Sequence, residues 1–289
     1  MVEVTKDILK KIYQKRPPVG RKYDYGLLTV IGGSEFYSGP PALSALAAMR
    51  CGIDVARVIA PKRAADIIAS FTPDLAAYPL KGDWLKKDHL AVLLSMTQSA
   101  KEVSRGKSAV LIGGGAGRSE ETREVISQFL AEVSVPCVID ADAIYAVAKS
   151  SGGIGGKNFI LTPHTFEFSV LTGKEVFELP EAEKIKIVQD EALRLNAIIL
   201  LKGGTDIISD GNQVALNRTG SSFMTIGGTG DTLAGIVGAI LARTQDPFLA
   251  ACAGAYINGL AGQVASQKLR ESLMAIDVIA AIPEVLSGF

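Results

Sequence analysis

The sequence predicts an α/β fold built on a mainly parallel sheet with helices on both faces. Three observations carry this expectation. Short aliphatic and β-branched runs alternate with segments whose apolar residues recur at helical spacing. The short runs are continuously apolar, as expected of strands buried on both sides. Glycine clusters and polar residues follow the ends of these runs, at Gly32 and Gly33, at residues 113–115, at Asp140, at His164 and at residues 202–204. In open parallel sheets ligands bind beyond the carboxyl ends of the strands, so these clusters predict one cleft.

Taken in order, "LLTVI" (27–31) is the first central strand and runs into "GGSEFYSG". A helix over about 40–51 follows, with Pro40 and Pro41 in its first turn and Gly52 past its end. "VARVIA" (55–60) and "AVLI" (109–112) are strands; the second ends in "GGGAGR", ahead of a helix carrying Val125, Phe129 and Leu130. "CVID" (137–140) precedes a helical "ADAIYAVA", and "KSSGGIGGKN" (149–158) reads as a surface loop. "FIL" (159–161) ends in "TPH" and a short helix, and "AIILL" (197–201) ends in "KGG". "DGN" (210–212) is a hairpin turn into another strand. In "TIGGTGDTLAGIVGAIL" (225–241), Leu233, Ile236, Val237, Ile240 and Leu241 lie on one helical face. Gly235 and Gly238 lower the propensity of that helix, so something must press closely against it. Two more helices are expected around 249–264 and 276–286.

Composition narrows the class. In 289 residues, 48 % are hydrophobic, which is ample for a sizeable core, and 30 basic residues balance 30 acidic ones. Bulk charge therefore predicts no nucleic-acid or anionic-membrane binding. No uninterrupted apolar stretch reaches about 18 residues, so no membrane span is expected. The mixed, charged "MVEVTKDILKKIYQKRPP" lacks a signal-peptide core. Cys51, Cys137 and Cys252 stand far apart in apolar surroundings and read as buried thiols of a reducing, cytoplasmic compartment.

The chemistry concentrates at 227–231. Glycines at a helix start leave the first backbone N–H groups free and let an anion approach them, on the positive end of the dipole. Asp231 supports two readings here. It caps the helix, or it takes a proton from a group that attacks a bound phosphate. A capping box is absent, because Ala234 stands where its acid would be. No Walker A and no G-x-G-x-x-G pattern is present. His164 and Glu167, three apart, are expected on one face of the short helix, where His164 is either structural or functional. A zinc site lacks a second suitably spaced His or Cys, whereas Glu167 suits a hard cation such as Mg²⁺ held through water. Lys202 reads as a solvent-exposed turn lysine or as a contact to a phosphate or adenine-side group. Of Asp140 and Asp142, one reads as a helix cap, with a role near Mg²⁺ as the other possibility.

Together these motifs resemble the ADP/ATP-dependent NAD(P)H-hydrate dehydratases of the ribokinase-like superfamily. The resemblance spans nearly the whole chain in order: "RPPVGRKYDYGLLTVIGGS", "SGPPALSALAAMRCGIDVARV", "IGGGAGR", "VIDADAI", "LTPHTFEFSVLTG", "LLKGGTDIIS" and "NRTGSSFMTIGGTGDTLAGIVGAIL". It implies one ribokinase-like domain over 1–289, a three-layer α/β/α sandwich. It also implies phosphorylation of the ring hydroxyl of hydrated NADH or NADPH by ADP or ATP with Mg²⁺, then loss of phosphate. The backbone at Gly228 and Gly230 would hold the phosphoryl group, with Asp231 as base. Pro40, Gly115, Gly117, His164 and Asp231 would meet the hydrated nucleotide. Lys202, Gly203, Gly204, Thr205, Asp206 and Gly230 would line the donor site, and Glu167 would act near the metal. The resemblance further implies a cytoplasmic homo-oligomer, a dimer or tetramer. About 25 residues precede the strand at Leu27, so the epimerase domain often fused ahead of this family is not expected.

The chain departs from the family pattern at "SGPP" for "TGAP", at "GGGAG" for "GPGLG", at Ser221 to Phe223 for "NPG", and at Ile226 for a common Thr. A small-molecule kinase acting on a thiazole, pyridoxal-like or sugar alcohol is the alternative of the same fold. A non-catalytic nucleotide-binding protein is the alternative of another class, which the acid after the anion hole disfavours.

Overall fold

The computed structural model describes residues 1–149 and 154–289, so part of the expected 149–158 loop lies outside the described residues. The strands are β1 (Val2–Glu3), β2 (Leu27–Ile31), β3 (Val55–Pro61), β4 (Ala76–Leu80), β5 (Ser108–Ile112), β6 (Cys137–Ile139), β7 (Phe159–Leu161), β8 (Ile198–Leu201), β9 (Asp206–Ser209) and β10 (Val214–Asn217). The helices are α1 (Asp7–Lys10), α2 (Gly39–Arg50), α3 (Lys62–Phe71), α4 (Leu90–Val103), α5 (Glu120–Glu132), α6 (Asp142–Lys149), α7 (Thr165–Thr172), α8 (Glu181–Leu195), α9 (Thr229–Thr244), α10 (Pro247–Leu269) and α11 (Ala275–Leu286). The expected strands and helices form, most of them within a residue or two of the ends read from sequence; α10 runs five residues past its expected end at 264. The sequence reading did not pick out β1, α1, α3, β4, α4 or α8.

One sheet of ten strands runs β1-β10-β9-β8-β7-β6-β5-β2-β3-β4. It is parallel except at the β8–β9 and β9–β10 pairs, where the "DGN" turn makes the expected hairpin. Asp210 closes that turn by accepting from the N–H groups of Asn212 and Gln213, each at 2.8 Å.

Strand alternation sends side chains to two separate cores. In β5, Ala109 and Leu111 join the core under α2, α9, α10 and α11, while Val110 and Ile112 join the core under α4 to α8. Both faces are thus covered. The fully buried Phe129, Phe159 and Phe168 fill the second core, each contributing roughly 1.5–3 kcal/mol of transfer free energy.

The chain order reverses between β2 and β5, which are neighbours although β3 and β4 intervene in sequence. The loops that leave these two strands are pinned together, the Gly33 N–H donating to the Gly114 carbonyl at 2.8 Å. The close approach expected against α9 is present. A Cβ on Gly235 would lie 2.1 Å from the Ser44 carbonyl oxygen of α2, and one on Gly238 would lie 2.9 Å from Leu28 Cδ1.

By length and composition the helical segment Pro247–Ser272 could cross a membrane, but 61 % of its most apolar window is buried inside the molecule. Its α10 portion packs against α9, α11 and several strands, as a core helix does. The three cysteines are buried and free; burial pushes the Cys51 and Cys252 thiols up to about 12.

Candidate active site

The glycine bend ahead of α9 is built by backbone geometry. Gly228 is the N-cap at φ +98°, in the left-handed region open to glycine. A Cβ there would also lie 2.8 Å from both Ala275 Cβ and Leu43 Cδ1. With no cap side chain, the first N–H groups of α9 remain available, and Thr232 is the first to bond back, to the Gly228 carbonyl at 3.0 Å. The Thr229 hydroxyl donates to the Met224 carbonyl at 2.9 Å and fixes the incoming loop.

Asp231 is therefore not the cap, which removes one of its two sequence readings. It sits at the third helical position and its carboxylate faces the β5 loop, 3.2 Å from where a Cβ on Gly114 would be. Burial first, and then the charge on Asp140, push its pKa up to about 7; Lys202 pulls the other way, and Glu167 and Asp142 add to the rise.

Lys202 is not a solvent-exposed turn residue. Its side chain is 18 % exposed and its ammonium lies 3.0 Å from Asp140 Oδ1 and 3.6 Å from Glu167 Oε2. Burial lowers its pKa, but Asp140, Glu167 and Asp231 outweigh that and leave it above the usual lysine value. Asp140 also accepts from the Thr162 hydroxyl at 2.7 Å. Asp142 instead holds the β5 loop, accepting from the Gly117 N–H at 2.8 Å and from Arg118 Nε at 2.6 Å. Between the two acids Ala141 has φ +49°, which turns them to different partners.

His164 and Glu167 do not share a helix face, because α7 starts at Thr165 and His164 is its cap. His164 Nδ1 accepts from the N–H groups of Phe166 (3.1 Å) and Glu167 (3.3 Å), and Glu167 Oε2 accepts from the His164 N–H at 2.9 Å. With Nδ1 used as acceptor, the neutral ring carries its proton on Nε2, 3.5 Å from Glu167 Oε1. The structural reading of His164 holds as this cap, and its side chain also lines the cleft.

That cleft has a volume of about 810 Å³ and brings together His164, Lys202, Gly203, Gly204, Asp206 and Gly230 of the expected residues. Asp206 braces its wall: it accepts from the Gly203 N–H and from Asn217 Nδ2, each at 3.0 Å, and burial pushes its pKa up to about 6. Thr205 lines a smaller neighbouring cavity of about 320 Å³, shared with Lys202, Gly203 and Gly204, and its hydroxyl accepts from Arg218 Nη1 at 2.9 Å. Gly228 and Asp231 lie beside the cleft without lining it.

Pro40 and Gly115 form a face beside Gly114, which Asp231 also meets, and Gly117 lies farther along the same loop against Trp84. A Cβ on Gly115 would lie 2.7 Å from Tyr37 Cβ and 3.3 Å from Pro40 Cγ, and one on Gly117 would lie 2.6 Å from the Trp84 ring. Sequence reasoning missed Tyr37, Trp84, Met224 and Asn258. Asn258 left a signal as a lone amide in the apolar "CAGAYINGLAG"; it binds the Thr232 hydroxyl at 2.7 Å.

A family model described as NAD(P)H-hydrate dehydratase matches residues 28–284. The chain belongs to the NAD(P)H-hydrate dehydratase family. It is 40 % identical over 275 residues to the "Bifunctional NAD(P)H-hydrate repair enzyme Nnr" of Pyrobaculum aerophilum, covering 93 % of this chain and 52 % of that protein. The chain thus spans about half the length of several curated relatives. It is also 36 % identical over 290 residues to the "ADP-dependent (S)-NAD(P)H-hydrate dehydratase" of Cenarchaeum symbiosum, covering 99 % and 97 % of the two chains. The crystal structure of the Bacillus subtilis ADP/ATP-dependent NAD(P)H-hydrate dehydratase, co-crystallised with ATP and Mg²⁺, shares the ribokinase-like fold. Its TM-score is 0.82 at 23 % identity, over 99 % of this chain and 98 % of that one.

No three His, Cys, Asp or Glu residues converge into a metal cage among the described residues of this dehydratase-family chain. Asp140, Glu167 and Asp231 nevertheless act together on Lys202, and after burial it is the charge of Asp140, with Glu167 adding, that raises Asp231. This excess of negative charge fits a Mg²⁺ ion that arrives with a nucleotide and keeps much of its water.

Proposed function

We propose that this protein dehydrates hydrated NADH or NADPH with ADP or ATP as phosphoryl donor. The observation that carries this reading is the half-buried Asp231, poised near neutrality between an uncapped helix N-terminus and the Pro40–Gly115 face. The donor's phosphates would lie in the 810 Å³ cleft against Lys202, Gly203, Gly204 and Gly230. Thr205, turned to the neighbouring cavity, would act through Arg218 and not by direct contact.

Asp231 would accept the proton of the ring hydroxyl as the hydroxyl oxygen bonds to the terminal phosphorus and the phosphoanhydride bond breaks, releasing AMP from ADP or ADP from ATP. The N–H groups following Gly228 would stabilise charge on the transferring group. Phosphate would then leave with the ring C–O bond electrons, and the adjacent ring carbon would give up a proton to water or to the departing phosphate, which restores the double bond of the reduced nicotinamide. Mg²⁺, carried with the nucleotide and met by Glu167 through water, would neutralise phosphate charge. Pro40, Gly115, Gly117 and the His164 Nε2–H would position the hydrated ring. The exposed Phe166, Ile226 and Met274 near the cleft support a homo-oligomer, and the relatives' repair role supports a cytoplasmic site of action.

Incubation with hydrated NADH, Mg²⁺ and ADP tests the reading. Recovery of the reduced-nicotinamide absorbance, with one inorganic phosphate released per cofactor, is the expected result. No recovery, with phosphate retained on another alcohol, would establish a kinase instead.

A further inference from the structure

A second cavity, of about 500 Å³, lies at the other ends of the two helices whose N-termini flank Asp231. Arg50 ends α2 and Arg243 lies in the last turn of α9, and both line it with Lys15 and Arg16. The 16 residues of α9 put it roughly 24 Å from the glycine bend. Among the described residues no Asp or Glu side chain lines this cavity. None of its four cations has a carboxylate within ion-pair distance among the described residues.

Basic residues at helix C-termini ordinarily complement the dipole and bind the last carbonyls. Around Arg50 and Arg243 other side chains, Arg16 among them, already do so. The Tyr13 hydroxyl donates to the Cys51 carbonyl (3.1 Å) and Arg16 Nη2 to the Gly52 carbonyl (2.8 Å). Gln245 Nε2 donates to the carbonyls of Leu241 and Ala242, and the Thr244 hydroxyl to that of Ile240. The Arg243 guanidinium is left half-buried between the rings of Tyr13 and Tyr25, 4.9 Å from each centroid. Arg16 stacks at 3.7 Å over the other partner of that pair, Tyr25. Burial first, and then Arg16, hold Arg243 below the usual arginine value, against the opposing pull of Tyr13, Tyr25 and Asp54.

We propose that this cavity is a binding site for a small phosphorylated anion, separate from the catalytic cleft. The planar guanidinium forks of Arg243 and Arg50 would grip phosphate oxygens, with Lys15 and Arg16 completing the charge. A cavity of about 500 Å³ suits a small molecule and not a nucleic-acid backbone, which needs an extended basic stripe.

Calorimetric titration of the full chain with inorganic pyrophosphate, and separately with ADP, tests this without reference to dehydratase activity. Two sites per chain are expected for pyrophosphate. The Arg50→Gln/Arg243→Gln variant should keep the catalytic-cleft site and lose the other. Should that variant unfold, the exposed Arg16→Gln change alone should weaken the second site at least tenfold. An ADP isotherm with two sites identifies a phosphorylated metabolite as occupant, and one with a single site identifies the free inorganic anion. One pyrophosphate site in the wild type, or two in the double variant, overturns the proposal. So does an oligonucleotide that binds more tightly than pyrophosphate and loses binding in the same variant.

Discussion

On the proposed mechanism Asp231 carries a chemical task, and its raised pKa carries a stability penalty. Its pKa of about 7 in the folded chain exceeds its ordinary 3.8, so the folded state holds this proton more tightly than the unfolded one. The stability associated with the protonated acid is complete below about pH 4 and is lost as pH rises through about 7. Asp231→Asn should therefore stabilise the chain at pH 8 by about 2 kcal/mol, a figure discounted for partial exposure, and by much less at pH 4. Urea unfolding at the two pH values checks this; equal gains would contradict it. A base must be ionised to act, so activity should fall below about pH 7. Lys202 lowers the Asp231 pKa, and Lys202→Met should move the acid limb of the pH–rate profile upward. A profile that keeps its midpoint while losing amplitude would exclude the coupling. The pairing of Lys202 with Asp140 was invisible in sequence because 62 residues separate the partners.

At the scale of elements, α9 was legible because its apolar period is regular and its two interior glycines demand a close neighbour. Gly235 against the Ser44 carbonyl meets that demand. Adding a methyl group there should separate α2 from α9, and Gly235→Ala should destabilise by about 3 kcal/mol or more, read by denaturant unfolding. An unchanged midpoint would mean that the two helices do not touch as described. Which residue caps α9 was not legible. The bend at Gly228 is set by Leu43 and Ala275, which lie far away in the chain. The same holds for His164, whose ring acts as the cap of α7, a place usually filled by a shorter side chain. The strand β4 escaped notice because it is an edge strand with Pro79 in it, short of β-branched residues.

Over the whole molecule, strand ends and glycine clusters foretold one cleft, and strand order decided how it divides. Neighbouring β2 and β5 bring their loops together on the Pro40 side of Asp231, while β8 and α9 supply Lys202 and Gly230 on the other. Thr205 turns away and residues 219–226 turn in, a matter of hairpin orientation that spacing does not encode. If the larger cleft holds the donor, ADP at a hundred times its Kd should stabilise the chain by about 2.7 kcal/mol, and equally so in Asp231→Asn. Phosphoryl transfer to hydrated NADH in a single turnover, at saturating ADP, compares wild type with that variant most directly. A loss of about 10²–10⁴-fold with ADP affinity preserved is the expected result. A variant that turns over near the wild-type rate would contradict Asp231 as the base.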